Sequence, residues 1–211
     1  MYGRNQNPDG TPINTAVFLN TRTNTKLKRD LSRADFESFV SAVIETKFQR
    51  LVPAFALRGG WERWFHAELC LLINNSTQAP GYYADREPPV YAASGYADIA
   101  FEDPVTHVAS HVVEIKCGLN SATPAQSNKR AAQDMVKLGG DPKTGKATQL
   151  KVKYEETARI VLLLIVDDAV PDTTQWDASN TISRLCAFDN KQHIVSYYIR
   201  YLPEKLRVAV Q

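Results

Sequence analysis

The spacing of apolar positions changes along this chain, and the changes mark out its elements. Phe36, Phe39, Val40, Val43, Ile44, Phe48 and Leu51 recur three and four apart, which is the repeat of one helical face. Ser32 with Asp35 resembles a capping box ahead of them, so a helix is expected from there to a stop before Pro53. A second helix follows Gly59-Gly60, turning Trp61, Trp64, Phe65, Leu69 and Leu72 inward and ending near Asn74-Asn75. Glu68 falls within its apolar side, whereas Glu62 lies at the helix start, where the dipole favours a carboxylate.

Beyond residue 79 the punctuation is that of strands. Pro80, Gly81 and Pro88-Pro89 predict a loop over 79–87, leading to a short strand near Val90-Tyr91-Ala92. Strands are then expected over 96–101 and 112–118. Thr123-Pro124-Ala125-Gln126 opens a helix, with Thr as cap and Gln closing the box, and Gly139-Gly140 stops it. Ala132, Met135 and Val136 supply its apolar side. The Ile/Val/Leu run at 159–166 is the mark of a strand covered on both faces. Residues 171–180 read as a loop or short helix, and 184–188 with 193–201 as a peripheral hairpin around Asp189-Asn190. The class is α/β, with the order helix, three-strand antiparallel meander, helix, parallel strand: an αβββαβ core whose mixed sheet is flanked by helices. Residues 1–59 form an irregular lead and an amphipathic helix packed on the core, and 60–211 form the main domain with a C-terminal hairpin.

Composition narrows the partners. A chain of 211 residues with 44% hydrophobic content buries one sizeable core. The net charge of +2 argues against polybasic binding and leaves room for a local positive groove. Cys70, Cys117 and Cys186 are odd in number and lack metal-site spacing, so they read as buried small apolar groups in a reducing compartment. No apolar run approaches the ~20 residues of a membrane span, and Met1-Tyr2-Gly3-Arg4 leads into no signal region. A cytoplasmic protein, or one delivered into a target cell's cytoplasm, is expected, without membrane contact.

The candidate chemistry lies on two adjacent strands. An acidic residue two before a lysine occurs four times, at Glu45, Glu114, Asp141 and Asp189. Only Glu114-Ile115-Lys116 is set in a β-branched apolar run, where an uncompensated charge is costly. Strand alternation points Glu114 and Lys116 the same way. A turn centred on Thr106 sets Asp98 opposite Glu114. A tight turn at Asp103-Pro104 alone would break that register, so a wider loop to about Ala109, or a bulge, is expected. On the following helix Gln126, Lys129, Arg130, Gln133 and Lys137 form a polar, mostly basic stripe. Between Asn120 and Lys153, seven Lys/Arg (129, 130, 137, 143, 146, 151, 153) stand against Asp134 and Asp141, an excess that would attract a phosphate backbone. His66 reads as a surface or hydrogen-bonded histidine, and His107, His111 and His193 show no site spacing.

Glu68 on the first core helix, Asp98 on the second strand, Glu114-x-Lys116 on the third and Gln133 on the next helix together resemble the PD-(D/E)XK, or restriction-endonuclease-like, nuclease superfamily, over about residues 60–168. Ala97 stands where the eponymous Pro is expected. The resemblance implies a metal site of Asp98, Glu114 and the Ile115 carbonyl, with Glu68 acting through water or a second ion. Such a hard oxygen site suits Mg²⁺, with Mn²⁺ as a substitute. Lys116 would orient or activate a water and counter developing charge. Gln133 would position water or backbone, and Gln126, Lys129, Arg130 and Lys137 would hold nucleic acid. The implied activity is Mg²⁺-dependent endonucleolytic hydrolysis, with DNA favoured over RNA, as in restriction, repair or toxin nucleases. A toxin would imply an immunity protein as partner. The alternatives are an inactive nucleic-acid-binding or assembly module of the same fold, or a purely structural ion cluster.

Overall fold

The computed structural model of the chain describes residues 31–55, 61–75, 82–92, 95–103, 106–118, 123–139, 150–151, 154, 157–170 and 172–202. The expected irregular lead over residues 1–30, and Lys143, Lys146 and Lys153 of the basic stretch, lie outside them.

The first helix, α1 (Arg33–Phe55), buries all seven positions of the predicted stripe. The Ser32 hydroxyl accepts the Asp35 N–H at 3.1 Å and donates to the Asp35 carboxylate at 2.7 Å, so the cap forms as read. The helix does not stop before Pro53, however, but carries it in its last turn. Leu51, Val52 and Ala54 are buried around it, and their packing outweighs the one backbone bond that Pro53 cannot make. Helix α2 (Trp61–Asn75) buries Trp61, Phe65, His66, Leu69, Cys70 and Ile73. Both helices share one apolar core with Ile99 and Phe101, Val113 and Ile115, and Ile160, Leu162 and Leu164 of the sheet.

The sheet is six-stranded in the order β1-β2-β3-β4-β6-β5. Its strands are β1 (Tyr83–Arg86), β2 (Ile99–Glu102), β3 (Ala109–Cys117), β4 (Ala158–Val166), β5 (Ala178–Cys186) and β6 (Lys191–Leu202). β1, β2 and β3 form the antiparallel meander, and β3 continues through helix α3 (Pro124–Gly139) to a parallel β4. β6 is antiparallel to both β4 and β5. The opposite sheet face, with Ala100, Val112, Val161 and Leu163, packs on Ala131 and Leu138 of α3. β4 is thus covered on both faces, as its unbroken apolar run requires.

Two elements differ from expectation. The meander's first strand is Tyr83–Arg86, inside the stretch read as loop, and Tyr91 makes only isolated bridges to Gly95 and Leu150. Pro88 and Pro89 explain the shift: neither has an N–H for a ladder, and the Pro88 carbonyl serves Val90 and Ala97 instead. The final hairpin begins at Ala178, well before residue 184. Cys70, Cys117 and Cys186 are buried thiols, as read.

Candidate metal centre

The site is organised by a strand that loses its neighbour. The pairs Ile99↔Val113, Ala100↔Val112 and Phe101↔His111 place Asp98 opposite Glu114, and a shift at Phe101/Glu102 is the bulge that preserves that register. On the other side of Ile99 the chain leaves β3. The Ala97 N–H goes to the Pro88 carbonyl, and the Asp98 carbonyl accepts from Glu87. The amides of Ile115 and Cys117 are thereby left without a ladder partner, and buried amides need one. Two carboxylates supply it: Asp98 Oδ2 accepts the Ile115 N–H at 2.6 Å, and Glu62 Oε2 accepts the Cys117 N–H at 3.0 Å. Trp61 Nε1 donates to the Gly118 carbonyl at 2.7 Å, so the first turn of α2 is fastened to the end of β3. Hydrogen bonds of this kind contribute roughly 0.5–1.5 kcal/mol each, rising to about 3 kcal/mol where the acceptor is ionised.

Lys116 projects from β3 between the helices. Its ammonium lies 3.6 Å from Glu62 Oε1 and 3.3 Å from Asp134 Oδ2, and donates to the Ile115 carbonyl at 3.1 Å. Burial alone would favour the neutral amine, but Glu62, Asp134, Asp98 and Glu114 together outweigh it and hold Lys116 above the ordinary lysine range, as a cation. Glu114 is deeply buried. Its Oε1 receives the Tyr91 hydroxyl at 2.5 Å and the Lys137 ammonium at 2.7 Å, and that ammonium sits 4.2 Å over the Tyr91 ring. Burial and the Glu114 charge drive the Tyr91 hydroxyl well above its usual range, so it acts as a donor.

His66 lies one helical turn after Glu62, on the same side of α2. Only 2% of it is exposed, and neither ring nitrogen has a hydrogen-bond partner among the described residues. Its Nδ1 stands 3.8 Å from Asp98 Oδ1. Burial, reinforced by Lys116, Arg86 and Arg63, lowers its pKa to about 3, which leaves a neutral imidazole. Asp98 moves the other way: burial and then the Glu114 charge raise it well above the carboxylate range, against the Ile115 amide and Lys116. Glu62, His66 and Asp98 each bring one ligand atom within 4.8 Å of the others. They lie on a cleft of about 630 Å³ whose lining includes Arg63, Arg86 and Tyr96.

The residues expected from sequence are distributed unevenly. Asp98, Glu114, Ile115 and Lys116 meet at the end of β3, but Asp98 has Glu62 and His66 beside it, while Glu114 is bound from the α3 side. Glu68 is not part of the group: its carboxylate pairs with Lys47 of α1 at 3.1 Å. Glu62 is the acidic residue that α2 contributes. Gln133 is exposed. α3 buries Ser127, Ala131, Asp134 and Leu138 instead of the face through Ala132, Met135 and Val136, because Asp134 meets Lys116. Gln126 and Thr123 exchange bonds at 3.1 and 3.3 Å in the predicted capping box, so the Gln126 side chain is taken up by the helix end. Lys129 and Arg130 are exposed, whereas Lys137 is committed to Glu114. Sequence reasoning missed both Glu62, read as a helix-start carboxylate, and His66, read as surface or hydrogen-bonded but in fact buried; their i, i+4 spacing is the signal that could have found them. No signal in composition marked Asp134.

No helix among the described residues is long and apolar enough to cross a membrane. No family model matches the chain, and searches of curated proteins and of solved structures give no match.

Proposed function

We propose that this chain is a metal-dependent nuclease of restriction-endonuclease-like build, hydrolysing phosphodiester bonds in DNA in preference to RNA. The observation that carries the reading is the open end of β3, where Asp98, Glu62 and Lys116 gather beside an imidazole with no hydrogen-bond partner among the described residues. The order α2, β1, β2, β3, α3, β4 supports it as the scaffold such a site would use.

The donor set fits a divalent cation: carboxylates fixed by backbone amides, one of them beside a buried neutral imidazole. Asp98 would hold the ion, with Glu62, His66 and Glu114 near it. When bound, the ion polarises the phosphate and lowers the pKa of a coordinated water. Lys116, flanked by Glu62 and Asp134, would orient or activate water and offset charge on the phosphate. Glu62 and Asp134 position it from either side. Arg63 lines the cleft, and it and the exposed Lys129 and Arg130 of α3 would hold substrate phosphates.

The test is cleavage of plasmid, linear and single-stranded DNA, tRNA and total RNA, with Mg²⁺, with Mn²⁺ and with chelator. Metal-dependent cutting that disappears in folded Asp98→Ala and Glu114→Ala variants is expected. Cutting undiminished in either variant, or unaffected by chelator, would overturn the assignment. Retention of nucleic acid without cutting would replace it by a binding module.

A further inference from the structure

From the placement of His66 we infer that the cation site is Glu62, His66 and Asp98, and that it selects Mn²⁺ over Mg²⁺. The metal-binding part stands by itself, and only the catalytic use of the ion rests on the nuclease reading.

A buried imidazole is ordinarily hydrogen-bonded through at least one nitrogen. Among the described residues His66 is bonded through neither, although it lies at the wall of a cleft open to solvent and not in the sealed core. Its nearest ionisable partner, Asp98 Oδ1, is at 3.8 Å, too far for a hydrogen bond and a distance that two metal–ligand bonds of about 2.1 Å can span. The 4.8 Å limit on the full set slightly exceeds that reach, so sub-ångström side-chain rotation closes it. The other oxygens hold the ligands in place: Asp98 Oδ2 is fixed by the Ile115 amide and Glu62 Oε2 by the Cys117 amide. Asp98 Oδ1 is left facing His66 Nδ1, and Glu62 Oε1 stands 3.6 Å from the Lys116 ammonium, a looser contact that a cation in the cleft can compete with.

One nitrogen among oxygens decides the metal. Mg²⁺ prefers an all-oxygen shell of near-octahedral geometry and keeps its waters. Imidazole ligation favours first-row transition ions, and among these Mn²⁺ also accepts carboxylates, water and phosphate. The all-oxygen set expected from the sequence, Asp98, Glu114 and the Ile115 carbonyl, has two oxygens that already accept hydrogen bonds. Glu114 Oε1 already receives Tyr91 and Lys137, and the Ile115 carbonyl receives Lys116.

The metal-free full chain is titrated with MnCl₂ and with MgCl₂ by calorimetry, and bound Mn²⁺ is read independently by electron paramagnetic resonance. Wild type should bind Mn²⁺ at least ~10-fold more tightly than Mg²⁺, and His66→Leu should erase that difference while leaving Mg²⁺ within about twofold. His66→Asn, which offers an oxygen in place of the nitrogen, provides the same comparison if the leucine variant does not fold. Equal affinities in wild type, a preference retained in both variants, or no bound Mn²⁺ would overturn the inference. Selective Mn²⁺ binding without cleavage would sink the nuclease reading alone. Cleavage supported equally by both ions and indifferent to His66 would sink this inference alone.

Discussion

Replacing His66 by Leu should make the metal-free protein more stable, an unusual outcome for a buried position. The imidazole is 2% exposed, and both its nitrogens lack hydrogen bonds to the described residues. An unsatisfied buried polar group costs roughly 1–3 kcal/mol, whereas an apolar side chain of similar volume avoids that penalty. Against this stands imperfect shape match, which for near-isosteric core exchanges stays below ~1.5 kcal/mol. The balance is a gain of about 1 kcal/mol, or a midpoint ~2–4 °C higher for a chain of this size. Urea unfolding in chelator measures it, as a shifted midpoint at unchanged slope. Saturating Mn²⁺ should reverse the order, because ligand at a hundred times its dissociation constant adds ~2.7 kcal/mol to the form that binds it. A leucine variant about 1 kcal/mol less stable than wild type in chelator would refute the reasoning, since His66 would then have to be satisfied already.

Other perturbations separate the acids and the cations. Glu62→Gln should lower cleavage by ~10²-fold or more, while Glu68→Gln, which weakens the Lys47 pair, should leave turnover unchanged; parallel rate measurements decide between the two. On α3, Asp134→Asn should reduce turnover, and the exposed Gln133→Ala should change neither turnover nor stability by more than ~0.5 kcal/mol. Lys137→Met strands a buried Glu114 with Tyr91 as its remaining donor and should cost roughly 2–4 kcal/mol in chelator; adding Glu114→Gln should recover part of that in a double-mutant cycle. His193 is bound by Asp167 at 2.6 Å and Asp189 at 2.8 Å, and its hydrogen bond to Asp167 chiefly raises its pKa above 6.5. Its stabilisation is full below 6.5 and fades as pH rises through the higher folded value. The stability difference between wild type and His193→Gln should therefore shrink on the alkaline side, and a difference that grows there would count against the pairing.

The sequence was informative wherever one physical rule decided the outcome. Strand alternation with a turn centred on Thr106 put Asp98 opposite Glu114, and the stripe from Phe36 to Leu51 was legible because every member is apolar. It misled where a polar residue is buried by a partner distant in sequence. α3 was rotated by about one residue, because Asp134 looks like a surface acid until Lys116 is placed beside it. Glu62 had a sufficient local explanation at the start of α2, and that explanation hid its bond to Cys117. The strand Tyr83–Arg86 carries two charges in four residues and owes its form to pairing with β2, which no local propensity encodes.

The two acids at the end of β3 hold on to main-chain amides, and that anchorage makes the cluster tolerant in one direction and brittle in another. Residues on the outer surface of α3 can be exchanged freely without moving Asp98 or Glu62. A single-residue insertion between Asp103 and Ala109 that slipped the hairpin would hand those amides to the wrong side chains and turn Glu114 and Lys116 toward the opposite helices. Loop-length variants in that hairpin are therefore the alterations this architecture can least absorb.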